Sequence, residues 1–186
     1  SDGAWANEKK RLVTSGENPC GAVPVIYAKT GPDDNDDIPL SQHIASLRFL
    51  AQVHGVAHTD PYYNYVQDMI SDEYQSLRND WVYQALSARE EEKEKFTKEK
   101  LPETLSKFES LYQKFALNGP FLSVSPKTET PLWGDAAMFG VLRDLITTGF
   151  ETSDGLEKTY PALSAMYTSY GKIPSVAKWL ASQEEK

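Results

Sequence analysis

Cysteine occurs once in this chain, at Cys20, so no internal disulfide can form and a reducing compartment is the expectation. No apolar run approaches the roughly 18–20 residues that cross a bilayer, and no secretory leader pattern is read. An Asn-x-Ser/Thr acceptor is also missing. Positive charge is short as well: 19 Lys and Arg stand against 27 Asp and Glu, a formal net charge of −8. Nucleic acid and anionic membrane surfaces call for Lys/Arg stripes that such a chain does not supply. The expectation is a soluble, cytoplasmic protein with no nucleic-acid and no membrane partner. With 186 residues, 40% hydrophobic and 25% charged, the chain is long enough for a core in one domain or two small ones.

What is present concentrates first between Asn18 and Leu50. Gly21 and Pro24 bracket a turn, and Val23, Val25 and Ile26 form a β-branched run suited to a short strand. Proline has no N–H for a ladder, so Pro24 belongs at a strand start, where a cis peptide bond is an option open almost only to X-Pro. A cis bond there would leave the Val23 backbone free to pair with an extended ligand. Gly31 to Asp37 reads as a solvated turn, Ile38-Pro39-Leu40 as a short edge strand, and Ser41 as the N-cap of a helix carrying Ile44, Leu47, Phe49 and Leu50.

The character changes near residues 56–61, from short strands to long helices. Asp60-Pro61 opens a helix, with Asp as N-cap and Pro at the first helical position. Val66, Ile70, Tyr74, Leu77 and Trp81 then share one helical face. Ala88 to Lys100 is highly charged and reads as a solvated connection. A second amphipathic helix carries Leu101, Leu105, Phe108, Leu111, Tyr112 and Phe115 and ends at Asn118-Gly119-Pro120. A third, with Met138, Val141, Leu142, Leu145 and Ile146, has the composition of a helix central to a bundle. Tyr160 through Leu180 reads as two shorter helices, each opened by an early proline.

That order resembles the glutathione S-transferases, and in look most the sigma class, which includes prostaglandin D synthase-like enzymes. The likeness rests on Val23-Pro24-Val25, the Leu40-Ser41-Gln42-His43-Ile44-Ala45 segment and the tail Ile173-Pro174-Ser175-Val176-Ala177-Lys178-Trp179-Leu180. It implies a thioredoxin-like N-terminal domain (residues 1–54), incomplete because its first strand and helix are absent from this chain. A linker (55–60) and an all-helical C-terminal domain (61–186) follow. By the same likeness, Val23 and Pro24 would face the cysteinyl part of glutathione, and Gln42 and His43 would hold its γ-glutamyl end. Glutathione would be the co-substrate, with no metal, and a small electrophile would dock between the domains. A homodimer, or a place in a larger assembly, is the implied state, and detoxification the implied role. The alternative is a non-catalytic transferase-like module serving structure or assembly.

Several positions depart from the family pattern. Ser1-Asp2-Gly3 aligns with the second strand, so the tyrosine or serine that stabilises the glutathione thiolate has no counterpart here, and no catalytic residue is assigned. His43 stands where the pattern has Ser. The second-helix Trp and Lys fall at Arg11 and Ser15, and an Asp that reaches across some dimers falls at Ser76. Leu132 replaces the hydroxyl of a capping box, leaving Asp135 to favour the helix N-terminus by charge.

Other suggestive residues take plainer readings. Cys20 has no Cys-x-x-Cys partner and reads as a small turn or core residue. Asp33 to Asp37 lacks the Gly and Glu of a calcium loop. His54 and His58 are separated by Gly55 and lie on the linker without a metal. Asp68 and Asp72 form a solvated acidic face. Tyr62, Tyr63, Tyr65, Tyr74 and Tyr83 read mainly as packing residues.

Overall fold

The structure, a computed structural model, describes residues 2–29, 37–86 and 89–184. The chain divides into two compact units, Ser1–His54 and Gly55–Lys186.

The first unit opens with helix α1 (Asp2–Ser15). Asp2 and Gly3 are therefore helical, not part of a strand, and Ser1 lies outside the described residues. Ala, Glu and Lys are strong helix formers, and Glu8 and Glu17 pair with Arg11 on the exposed surface. A chain reversal at Gly16, whose φ of 78° favours glycine, leads toward strand β1 (Ile26–Lys29), which pairs antiparallel with β2 (Asp37–Leu40). The register sets Ile26 opposite Leu40 and Tyr27 opposite Pro39. The first strand therefore begins at Ile26; Val23 and Val25 precede it, outside the ladder. Proline fits β2 because a two-stranded sheet has only edge strands. The turn expected at Gly31 to Asp37 falls, up to Asp36, outside the described residues. Helix α2 (His43–Val53) follows, and its N-cap is Gln42, not Ser41. Ser41 is drawn away from capping because its hydroxyl donates to Asn18 Oδ1 at 3.0 Å.

The second unit is helical. Asp60 caps α3 (Pro61–Asp80) by accepting the Tyr62 N–H at 2.9 Å, with Pro61 at the first position. Val66, Ile70 and Leu77 of its apolar face are buried, and Trp81 continues the face into a π-helical stretch, Trp81–Leu86. Of the five tyrosines read as packing, Tyr62, Tyr65 and Tyr83 are exposed instead. The charged stretch is a helix and not a loose connection: α4 (Glu90–Lys95) passes through π-helical turns (Phe96–Lys100) into α5 (Leu101–Phe115). The anchor is Phe96, fully buried with its ring edge-on to Phe150. A single aromatic among charges suffices because burying it removes a large apolar surface from water. Helix α5 stops at Phe115, short of Asn118-Gly119-Pro120.

Helices α6 (Trp133–Thr147), α7 (Ser153–Thr159), α8 (Pro161–Gly171) and α9 (Pro174–Glu184) complete the bundle. The short α7, which the hydrophobic pattern did not reveal, starts where Thr152 accepts the Gly155 N–H at 2.9 Å. Helix α8 has no local side-chain cap. Buried Glu109 on α5 fills that role from a distance, accepting the N–H groups of Ala162 and Leu163, each at 3.0 Å. Met138, Leu142 and Leu145 of α6 are fully buried beside Phe108 and Tyr112, which places α6 in the core. Close approach of α3 to α6 depends on Gly134. Its N–H donates to Gln67 Oε1 at 2.8 Å, and a Cβ there would lie 3.0 Å from the Gln67 carbonyl oxygen.

Asp135 does more than bias the α6 N-terminus by charge. It is buried, and its Oδ1 accepts both the Tyr112 hydroxyl (2.9 Å) and the Leu122 N–H (3.2 Å). Burial pushes its pKa up to about 7, against the pull of the Leu122 amide, the Tyr112 hydroxyl and the Ser123 amide. The same burial raises the Tyr112 hydroxyl well above its ordinary value.

Candidate functional site

The hairpin register decides where the expected ligand residues fall. Ile26 opposes Leu40, so the segment just before β1 and the segment just after β2 leave the hairpin at the same end. Val23 and Pro24 lie on one, Gln42 and His43 on the other. The Val23–Pro24 peptide bond is cis. Val23 is 66% exposed, and among the described residues its backbone makes no hydrogen bond. An unpaired, exposed backbone beside a strand is what a ligand needs in order to pair with it.

Gln42 has φ 72° and ψ 108°. That region costs a non-glycine residue of order 1–3 kcal/mol and tends to be kept where function uses it. Its carbonyl nevertheless accepts the Ser46 N–H at 2.9 Å, so the first turn of α2 is properly formed. The result is an exposed Gln42 side chain at the head of α2, with His43 half-buried as the first helical residue. The first amides of a helix have no intrahelical acceptor and face outward, where they suit a carboxylate.

The residue that joins these parts was not singled out as functional from sequence. Asn18 is buried. Its Nδ2 donates to the Ala22 carbonyl at 2.8 Å, and its Oδ1 accepts from the Ser41 hydroxyl at 3.0 Å. Its backbone N–H donates to Leu12 O at 3.0 Å, and its carbonyl accepts from Gly21 N at 3.0 Å. One side chain thus ties the residue before Val23 to the residue before Gln42. Asn18-Pro19 reads in sequence as a turn and nothing more, because its partners lie as far as 23 residues away.

Cys20 is exposed and unpaired. His54 caps the end of α2 and His58 precedes α3. Among the described residues, no group of three or more His, Cys, Asp or Glu could hold a metal ion, and no helix is long and apolar enough to cross a membrane. The helical unit has a groove of about 460 Å³ lined by Phe139, Tyr170, Val176 and Trp179, with the Arg143 guanidinium 5.0 Å from the Trp179 ring.

Residues 75–183 match the family model for the glutathione S-transferase C-terminal domain. The chain belongs to the glutathione S-transferase family. Its fold agrees with solved family structures at low identity. Prostaglandin synthase D of Nilaparvata lugens superposes with a TM-score of 0.70 at 20% identity, over 94% of this chain and 80% of that one. The monomeric glutathione S-transferase Na-GST-3 of the hookworm Necator americanus gives 0.73 at 21%, over 98% and 81%. The sigma-class glutathione S-transferase of Fasciola hepatica gives 0.70 at 21%, over 95% and 80%. No curated protein matches the chain. The fold is therefore a glutathione S-transferase fold: the helix–hairpin–helix part of a thioredoxin-like unit, then an all-helical transferase domain.

Proposed function

We propose that this chain binds glutathione at the end of its hairpin and presents the thiol to small electrophiles. Residues 1–54 would be the glutathione-binding part, 55–60 the linker and 61–186 the transferase helical domain. The observation that carries the reading is the Asn18 bracket, which holds the free Val23 backbone and the head of α2 in one frame. The cysteinyl backbone of glutathione would pair with Val23 beside Pro24. Its γ-glutamyl carboxylate would accept from the first-turn amides of α2, with the Gln42 amide and the His43 ring as side-chain partners. In the transfer itself the thiol loses its proton to solvent, sulfur forms a bond to the electrophilic carbon, and the leaving group departs with its electron pair. No residue of this chain is assigned to activating the thiol. Cytoplasmic location and a homodimer, or membership of a larger assembly, complete the reading.

One observation favours a second reading, a transferase-like module that binds or assembles without turnover. It is the imidazole of His43 in the place of a compact hydroxyl. Calorimetric titration with glutathione, paired with conjugation of an activated aryl chloride, separates the two. Binding with turnover supports the enzyme, binding alone supports the module, and neither result leaves only a structural role. His43→Ser should tighten glutathione binding, by up to about tenfold if one charge-assisted hydrogen bond is gained. An unchanged affinity would put position 43 outside the ligand's reach.

A further inference from the structure

The helical unit contains a second cavity that the glutathione reading does not use. It lies where the start of α3 meets the end of α5 and the loop that follows, has a volume of about 290 Å³, and is lined by His58, Tyr62, Tyr63, Lys114, Phe115 and Phe121 among others. We propose that this cavity binds a small single-ring aromatic carboxylate.

Its walls are preorganised. His58 is clamped along its backbone by Asn64, which accepts the His58 N–H at 3.1 Å and donates to the His58 carbonyl at 2.8 Å. Nδ1 of the same ring accepts the Asp60 N–H at 2.9 Å, which leaves the proton of the neutral ring on Nε2 as a donor. The ring is fixed against Tyr63, with centroids 4.3 Å apart, and Tyr63 in turn meets Tyr62 edge-on at 5.6 Å. Across the cavity, the loop after α5 is pinned where Leu122 donates to Asp135.

The polar groups set the sign of the ligand. Lys114, in the last turn of α5, has no carboxylate partner among the described residues. Its ammonium lies 5.2 Å from the Phe115 ring, a position that keeps the cation beside an apolar wall. The acidic side chain nearest His58 in sequence, Asp60, accepts the Tyr62 N–H as the cap of α3. A cation and an imidazole N–H therefore stand ready for an anion, and Tyr62, Tyr63, Phe115 and Phe121 supply aromatic surface for one flat ring. The volume of about 290 Å³ is ample for one ring carrying a carboxylate.

The test uses the full chain and benzoate, with benzyl alcohol as the uncharged control, by saturation-transfer NMR and calorimetry. Benzoate is expected to bind at least about tenfold more tightly than benzyl alcohol. Lys114→Met should erase that preference and Lys114→Arg should keep it. Lys114 is exposed, so both variants should retain the far-UV spectrum of the parent, and both should titrate glutathione as the parent does. Equal binding of acid and alcohol, a preference that survives Lys114→Met, or no benzoate binding at millimolar concentration would each overturn the proposal. A failure of glutathione binding would leave this result untouched, since the two sites share no residue.

Discussion

The two units of this chain are held together by different means. In the second, Phe96, Phe108, Tyr112, Met138, Leu142 and Leu163 are fully buried in one continuous core. In the first, Ala51 is the only buried hydrophobic residue among the described ones, while Trp5, Tyr27, Phe49 and Val53 stand exposed. Its order comes instead from hydrogen bonds centred on Asn18 and from a four-pair hairpin ladder. The contrast teaches that the fold's stability and its candidate ligand chemistry sit in different places. The helical unit supplies rigidity, and the thin hydrogen-bonded unit supplies unpaired backbone. Regions with few buried apolar contacts open locally at lower free energy than the core. Amide exchange should therefore be faster in α2 than in α5 and α6; equal protection would break the comparison.

Substitutions sharpen it, beginning with one aromatic from each unit. Phe108→Ala, at a fully buried position, should cost about 3–5 kcal/mol. Phe49→Ala, 38% exposed in the first unit, should cost under about 1 kcal/mol, both by chemical denaturation. Gly134→Ala should cost about 2–3 kcal/mol, because the new Cβ presses on the Gln67 backbone, which cannot swing away. Asn18→Ala should cost about 1–2 kcal/mol through two lost hydrogen bonds, with exchange accelerated at Val23 and in the first turn of α2. If only overall stability fell, the bracket would not be organising the site.

Asp135 gives a test in pH. Its folded pKa of about 7 lies above the ordinary aspartate value of 3.8, so the folded state takes up the proton more readily than the unfolded chain. This group's contribution is therefore greatest below about pH 4 and is lost as pH rises through about 7, by at most about 1.4 kcal/mol per pH unit. Asp135→Asn keeps an acceptor for Tyr112 and Leu122 and should flatten that slope. An unchanged slope would mean that the carboxylate is not the titrating group.

Much of this was legible in the sequence where local periodicity carries the information. The stripes of α3, α5 and α6, the Asp60-Pro61 start and the proline-opened α8 and α9 follow from 3.6-residue spacing and cap chemistry. The hairpin was legible from Pro24 and Pro39, though its first strand starts three residues later than Val23. What stayed hidden depends on partners distant in sequence. Helix α1 lacks an apolar stripe, so its propensity has no pattern to display. Phe96 is one aromatic among charges, and its ring partner Phe150 lies 54 residues on. Ser41 looks like a cap until Asn18 claims its hydroxyl. Asp135 looks like a surface helix-start acid until Tyr112 and Leu122 enclose it. The four candidate ligand residues come from the resemblance alone. The residue that frames them, Asn18, was not.

The central claim is that the hairpin end, framed by Asn18, receives glutathione. Its most direct test is an amide NMR titration of the full chain with glutathione. Saturable shifts are expected at Val23, Gln42, His43 and Ile44, weaker in Asn18→Ala. Shifts confined to residues beyond His54, or none at millimolar glutathione, would contradict it.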